Sequence, residues 1–235
     1  MKRSLLALLS AMSFAIGGLA ADSETPINSV PIIEDEYSVD VPVRSWREMR
    51  DQDVVRQQYD FSCGAASMAT IMKYFYDVDV TENGIVQAVL KLKGIGEEAH
   101  KFEKSDFALS FADLADYGKV LGFKGIGVAL DMNGLRKLQI PVILYIKIRS
   151  FEHFTVFKGI SGGFVHLADP SFGNMKVKMA KFQEMFYQRE DLKHPGRVLA
   201  FIPLNKAAFK PSKDFMNIPE TSDYLYRYLE NRIDH

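Results

Sequence analysis

The chain has one cysteine in 235 residues, and it stands in the run Gln57-Gln58-Tyr59-Asp60-Phe61-Ser62-Cys63-Gly64-Ala65-Ala66-Ser67, at the start of a stretch with helical spacing. A thiol reacts as its thiolate, and the unpaired amides at a helix N-terminus supply a positive field that favours the anion. At that position Cys63 reads as a nucleophile. It has no second cysteine for an intramolecular disulfide, so the competing reading is a buried thiol packed as a small hydrophobe. A nucleophilic thiol needs a base, a group that orients the base, and donors for a developing oxyanion.

Five histidines could supply the base. His153 opens the apolar run His153-Phe154-Thr155-Val156-Phe157, where a side chain at a strand end can face a cleft. His166 lies inside Phe164-Val165-His166-Leu167-Ala168 and reads as a structural or surface histidine. His100 falls in a loop, His194 before a Pro-Gly turn and His235 at the terminus, none with an acid on a rigid element nearby. Asp169 follows the second strand of the hairpin that His153 begins. The Ile160-Ser161-Gly162-Gly163 turn between them brings carboxylate and imidazole to the same end of the sheet, the place of an orienting acid. Taken alone, Asp169-Pro170-Ser171-Phe172-Gly173 is a turn sequence and His153 an edge-strand histidine; the set and its order give them a role. Gln57, six residues before the thiol, can donate to an oxyanion beside the backbone N–H of Cys63, with Gln58 as the competing amide. Asp60 is expected to cap or shape the loop.

The elements that must position these groups follow from periodicity. Ser45, with Glu48 three residues on, signals a capped short helix Trp46 to Asp51. The cysteine helix runs to Tyr76, with Ala65, Met68, Ala69, Met72 and Phe75 on one face and small residues that let its first turn approach a sheet. Thr81 caps a helix to about Leu92, ended by Gly94 and Gly96. An irregular loop fills the stretch to Leu109, and Ser110 starts a helix Phe111 to Leu121. Strands then dominate: Lys124 to Leu130, Pro141 to Ile148, Phe154 to Gly159, Gly163 to Ala168, Met175 to Lys178 and Arg197 to Leu204. Short helices fall at Asp131 to Leu138 and Ala180 to Tyr187. Helices first and an antiparallel sheet after make an α+β fold.

These residues resemble a known family. The run Gln57 to Ala66, Leu109-Ser110-Phe111-Ala112-Asp113-Leu114 followed by Leu121-Gly122-Phe123, Ile140-Pro141-Val142-Ile143, His153-Phe154-Thr155-Val156 and Ala168-Asp169-Pro170-Ser171 are similar to the C39 peptidases. Those are papain-like cysteine peptidases, best known as the domain of peptide-exporting transporters that cuts after a double-glycine leader. The resemblance implies a papain-like fold over about Val54 to Leu204. It also implies Cys63 as nucleophile, His153 as base, Asp169 as orienting acid, Gln57 in the oxyanion hole, and a small residue, Gly or Ala, before the cut bond. Ser62 stands where many transporter members carry aspartate. The closer likeness is to stand-alone exported forms, some of which accompany Fap-type functional-amyloid secretion.

Lys2 and Arg3, the apolar run Leu5 to Ile16 and the small residues before Asp22 have the layout of a secretory signal peptide. Cleavage after Ala20 is preferred and after Ala21 is the alternative. The apolar run is shorter than the roughly 18 to 20 residues of a bilayer span. The expected organisation is therefore a signal peptide over 1–20 and a flexible arm over 21–43, which carries Pro26, Pro31 and Pro42. A peptidase domain over 44–204 and an extension over 205–235 with a terminal helix Ser222 to Ile233 follow. A composition of 47% hydrophobic and 25% charged residues suits one ordinary core, and a net charge of −1 argues against a nucleic-acid partner. Scattered histidines and a lone cysteine suggest no metal site and no cofactor. The expectation is a periplasmic thiol peptidase acting on a polypeptide, such as an amyloid or other secreted protein, with no membrane anchor once the signal is removed. Two rivals share the chemistry or the cleft: a non-cleaving module that binds or chaperones an exported polypeptide, and an amidase of cell-wall peptides.

Overall fold

Apolar residues in this chain change period from helical to alternating near Phe123, and the elements change with them. The computed structural model describes residues 29–34, 37–95 and 109–217. The expected signal peptide, most of the loop after Gly96 and the terminal helix lie outside the described residues. Within the segment expected to be a flexible arm, β1 (Ser29–Glu34) and β2 (Tyr37–Pro42) pair as an antiparallel hairpin, part of a unit ending at Arg44.

The second unit begins at Ser45, whose side chain and that of Glu48 form the expected capping box on α1 (Trp46–Asp51). Cys63 opens α2 (Cys63–Thr70), and α3 (Glu82–Leu92) is capped by Thr81. A second box, Ser110 with Asp113, starts α4 (Phe111–Val120). The helix expected to run unbroken to Tyr76 instead widens into a π-helical turn at Ile71–Phe75, where the N–H of Tyr76 donates to Ile71 at 3.2 Å.

After α4 come β3 (Phe123–Leu130), α5 (Met132–Arg136), β4 (Val142–Ile148), β5 (Phe151–Ser161), β6 (Phe164–Asp169), β7 (Gly173–Lys178), α6 (Met179–Phe186) and β8 (Gly196–Pro203). The six strands from β3 onward form one sheet in the order β3-β8-β4-β5-β6-β7, with every neighbouring pair antiparallel. The expected α+β class is therefore observed.

Strand alternation feeds two cores. Ile143, Val156, Ala168, Leu199 and Phe201 pack with α2, α3 and α4, while Val142, Leu144, Phe157, Leu167 and Val198 pack with α5 and α6 on the other face. The central strands thus lie buried on both sides. Each fully buried aliphatic or aromatic side chain contributes roughly 1.5–3 kcal/mol through removal from water. The rigidity that follows holds the sheet end on which the site is built.

The β5–β6 hairpin turns at Gly162 and Gly163, with φ of 55° and 82° as a tight turn of this kind requires. Its register is not uniform. Ser161 pairs with Phe164 and Gly159 with His166, but Phe157 pairs with Leu167 and Val156 with Ala168, so Lys158 is an extra residue in β5.

Candidate active site

Helix α2 reaches the sheet because its first turn is small. A methyl group added at Gly64 would lie 3.0 Å from the ring of Phe154 and 3.3 Å from Leu114, and Ala65 and Ala66 are fully buried. Ser67 donates its hydroxyl to the Phe154 carbonyl at 3.3 Å. These contacts set the start of α2, and Cys63 with it, against the strand that carries His153.

His153 lies near the start of β5 and Asp169 ends β6. Imidazole Nε2 is 2.9 Å from Asp169 Oδ2, with the carboxylate fully buried and the ring nearly so. Asp169 can only accept, so Nε2 carries the proton and Nδ1 is left for the thiol. The aspartate is fixed by its own turn: Oδ1 accepts from the N–H of Ser171 at 2.8 Å and of Phe172 at 3.0 Å. Burial pulls the His153 imidazole down. Its hydrogen bonds to Asp169 and Cys63 and the negative charge on both outweigh that, and the group is pushed up to about 9. A histidine so placed holds its proton at neutral pH beside the sulfur.

Gln57 completes the cluster. Its backbone N–H donates to Pro170 at 3.0 Å, and the Ser171 hydroxyl donates to its Oε1 at 2.8 Å. Its Nε2 donates to the Tyr59 carbonyl at 3.0 Å. The competing amide, Gln58, is exposed and enters by its backbone N–H alone among the hydrogen bonds described. The four residues singled out in the sequence, Cys63, His153, Asp169 and Gln57, are therefore brought to one place. His166 is buried in β6 with Ser161 as its partner at 3.0 Å, and His194 pairs with Asp191 on the surface. His100 and His235 lie outside the described residues.

Sequence reasoning missed two contributors. Glu82, the first residue of α3, is buried at 3% exposure and accepts the Ser62 hydroxyl together with the Gln58 N–H at 2.9 Å. It ties down the loop before Cys63, whereas Asp60, expected to shape that loop, is exposed. In the sequence, Glu82 reads only as an acid favoured in a first helical turn. The other contributor is the clamp behind the Asp169 turn. Asn174 Nδ2 donates to the Gln52 carbonyl at 2.7 Å, and Arg56 bonds the Ser171 carbonyl and Asp51, the latter at 2.9 Å. Gly173 sits there at φ 84°, where a methyl group would lie 2.5 Å from the Arg50 carbonyl oxygen.

A helix-borne thiol against a strand-borne histidine, itself bonded to a buried aspartate, defines the thiol-hydrolase class of site. The chain belongs to the Peptidase C39 family, whose pattern it matches over residues 51–189. It is 32% identical over 142 residues to the "probable functional amyloid protease FapD" of Pseudomonas aeruginosa, and 31% identical over 140 residues to the protein so described from Pseudomonas fluorescens. Each match takes in 60% of this chain and 59% of the relative, so the chain spans about three fifths of the length of these relatives. Two solved structures cover 64% of the chain. One is a double glycine motif protease from an AMS/PCAT transporter in complex with the leader peptide, at 23% identity, 90% coverage of that chain and TM-score 0.47. The other is the peptidase domain of Streptococcus ComA, a bifunctional ABC transporter involved in quorum sensing, at 19%, 97% and 0.49.

Proposed function

We propose that this protein is an exported, periplasmic cysteine peptidase that cleaves a secreted polypeptide after a small residue, Gly or Ala. The observation that carries the reading is the His153 imidazole, bonded to Asp169 at 2.9 Å and raised to about 9 by Asp169 and by Cys63 against the opposing effect of burial. It supports a protonated His153 imidazole beside the Cys63 sulfur as the resting state.

The Cys63 sulfur attacks the carbonyl carbon and forms an S–C bond, and the carbonyl electrons move onto oxygen. The Cys63 N–H and Gln57 Nε2 hold that oxyanion. Collapse expels the amine, which takes its proton from His153. His153 then takes a proton from water, whose oxygen attacks the thioester and frees Cys63. Asp169 keeps the ring oriented throughout. The amyloid-protease relatives support a fibre-forming or co-secreted protein as substrate.

The test is mass spectrometry of polypeptide termini from the periplasm and medium of cells carrying wild-type or Cys63→Ala protein. Ends after Gly or Ala that appear only with the thiol are expected. Identical termini in both strains, with an exported polypeptide co-purifying intact, would replace cleavage by binding; new ends confined to cell-wall peptides would replace it by amidase action.

A further inference from the structure

We propose that Ser171 is the positioning residue of the oxyanion amide, a role that rests on the peptidase reading above. An amide side chain fits a hydrogen-bonding site in either of two orientations, related by exchange of its oxygen and nitrogen. Only the one that presents nitrogen can stabilise an oxyanion. In this site both ends of the Gln57 amide are held. The Tyr59 carbonyl, 3.0 Å from Nε2, can only accept, and the Ser171 hydroxyl, 2.8 Å from Oε1, supplies the donor that the oxygen needs. Nε2 has two hydrogens, and Tyr59 takes one. The second meets no other acceptor among the hydrogen bonds described and is the one available to a reacting carbonyl.

Ser171 is itself fixed by the acid. Its N–H donates to Asp169 Oδ1 at 2.8 Å, and its carbonyl accepts from Arg56. The residue before it accepts the Gln57 N–H at 3.0 Å. One turn therefore sets both the aspartate that orients His153 and the amide that meets the oxyanion. The two halves of the site keep a common frame, although Gln57 and Asp169 are far apart in sequence. Loss of the hydroxyl frees the amide to rotate and leaves the Asp169 contact intact, because that contact uses the backbone.

The experiment compares wild type, Ser171→Ala, Ser171→Thr, Gln57→Ala and the Gln57→Ala/Ser171→Ala double variant. One readout is cleavage of a fluorogenic peptide amide with glycine before the scissile bond. The other is the rate of Cys63 alkylation by iodoacetamide across pH, a reaction that forms no oxyanion. Ser171→Ala is expected to lower kcat on the order of tenfold, part of the roughly 100- to 1,000-fold that loss of a whole oxyanion donor costs. KM and the alkylation profile stay at wild-type values, Ser171→Thr restores the rate, and in the Gln57→Ala background the serine change adds less than about twofold. Wild-type kcat in Ser171→Ala while Gln57→Ala is impaired overturns this proposal and leaves the peptidase intact. Alkylation slowed in parallel with cleavage, or a full additional loss in the double variant, also overturns it. Wild-type kcat in Gln57→Ala, or cleavage that persists in Cys63→Ala, overturns instead the reading on which it rests.

Discussion

His153 and Asp169 share one face of the sheet because Lys158 is an extra residue in β5. In the register near the turn, set by Ser161 opposite Phe164, Asp169 would stand opposite Val156, whose side chain points into the α2 core. After the bulge, Val156 is opposite Ala168, and the next step places Asp169 across from Thr155, on the His153 side. A shift of one residue exchanges the two faces of a strand, so this bulge decides whether the acid meets the base. Deletion of Thr155, beyond the bulge, would carry His153 to the face opposite Asp169 and is expected to cut peptide cleavage by at least about a hundredfold, in line with loss of an orienting acid. Lys158→Ala keeps the backbone count and should stay near the wild-type rate; equal effects of the two changes would refute the register argument.

Glu82 holds the loop ahead of the nucleophile from the first residue of α3. Glu82→Ala strips the acceptor from the buried Ser62 hydroxyl and from the Gln58 N–H. A destabilisation of about 1–3 kcal/mol should appear in urea unfolding. Ser62→Asp would set two carboxylates against each other and should be at least as damaging. An unchanged unfolding midpoint in Glu82→Ala would show that the loop is held by other contacts.

The state of His153 predicts an alkaline limit to activity. Its folded value of about 9 lies above the ordinary 6.5, so the imidazolium that protonates the leaving amine is present at neutral pH and disappears as pH rises through about 9. Asp169→Asn removes a negative charge and weakens the bond that raises His153. The alkaline limb of kcat/KM should move to lower pH in that variant, beside a large fall in rate. A limb that stays in place would detach it from His153.

His166 makes the opposite prediction for stability. Burial, and then the charges of Lys176 and Lys158, depress its imidazole to about 4 despite the bond from Ser161. Between about 4 and 6.5 the unfolded chain binds the proton and the folded chain does not, so this group costs stability as pH falls through that window. The cost is on the order of 3 kcal/mol when fully developed. His166→Gln should flatten the fall in unfolding free energy from pH 6.5 to 4. An equally steep fall in the variant would place the acid sensitivity elsewhere.

The residue types of the site were legible because each carries chemistry that few others can: Cys63 at a helix start, His153 and Asp169 at the two ends of a hairpin, and Gln57 ahead of the thiol. Strand and helix periods gave the α+β order, and Ser45–Glu48 marked the start of α1. What escaped was of another kind. Nothing in Phe157-Lys158-Gly159 distinguishes a bulge from a regular strand, because the alternation of one short strand does not report its partner's register. Glu82 and Ser62 are 20 residues apart and meet only after α2 and α3 pack. Ser171 looked like one polar residue of a turn, since its contact with Gln57 depends on two loops arriving together. Periodicity likewise does not separate an α-helical turn from the wider turn at Ile71–Phe75.

The account stands on covalent catalysis by Cys63 with His153, and acylation tests it most directly. Purified wild-type, Cys63→Ala and His153→Ala proteins would be mixed with the p-nitrophenyl ester of an N-acylglycine and followed by intact and peptide-level mass spectrometry. The prediction is rapid acylation of wild type at Cys63 followed by turnover, none at that position in Cys63→Ala, and a rate lower by at least about a hundredfold in His153→Ala. Equal acylation rates in wild type and His153→Ala, or an acyl group carried by another residue, would contradict the mechanism.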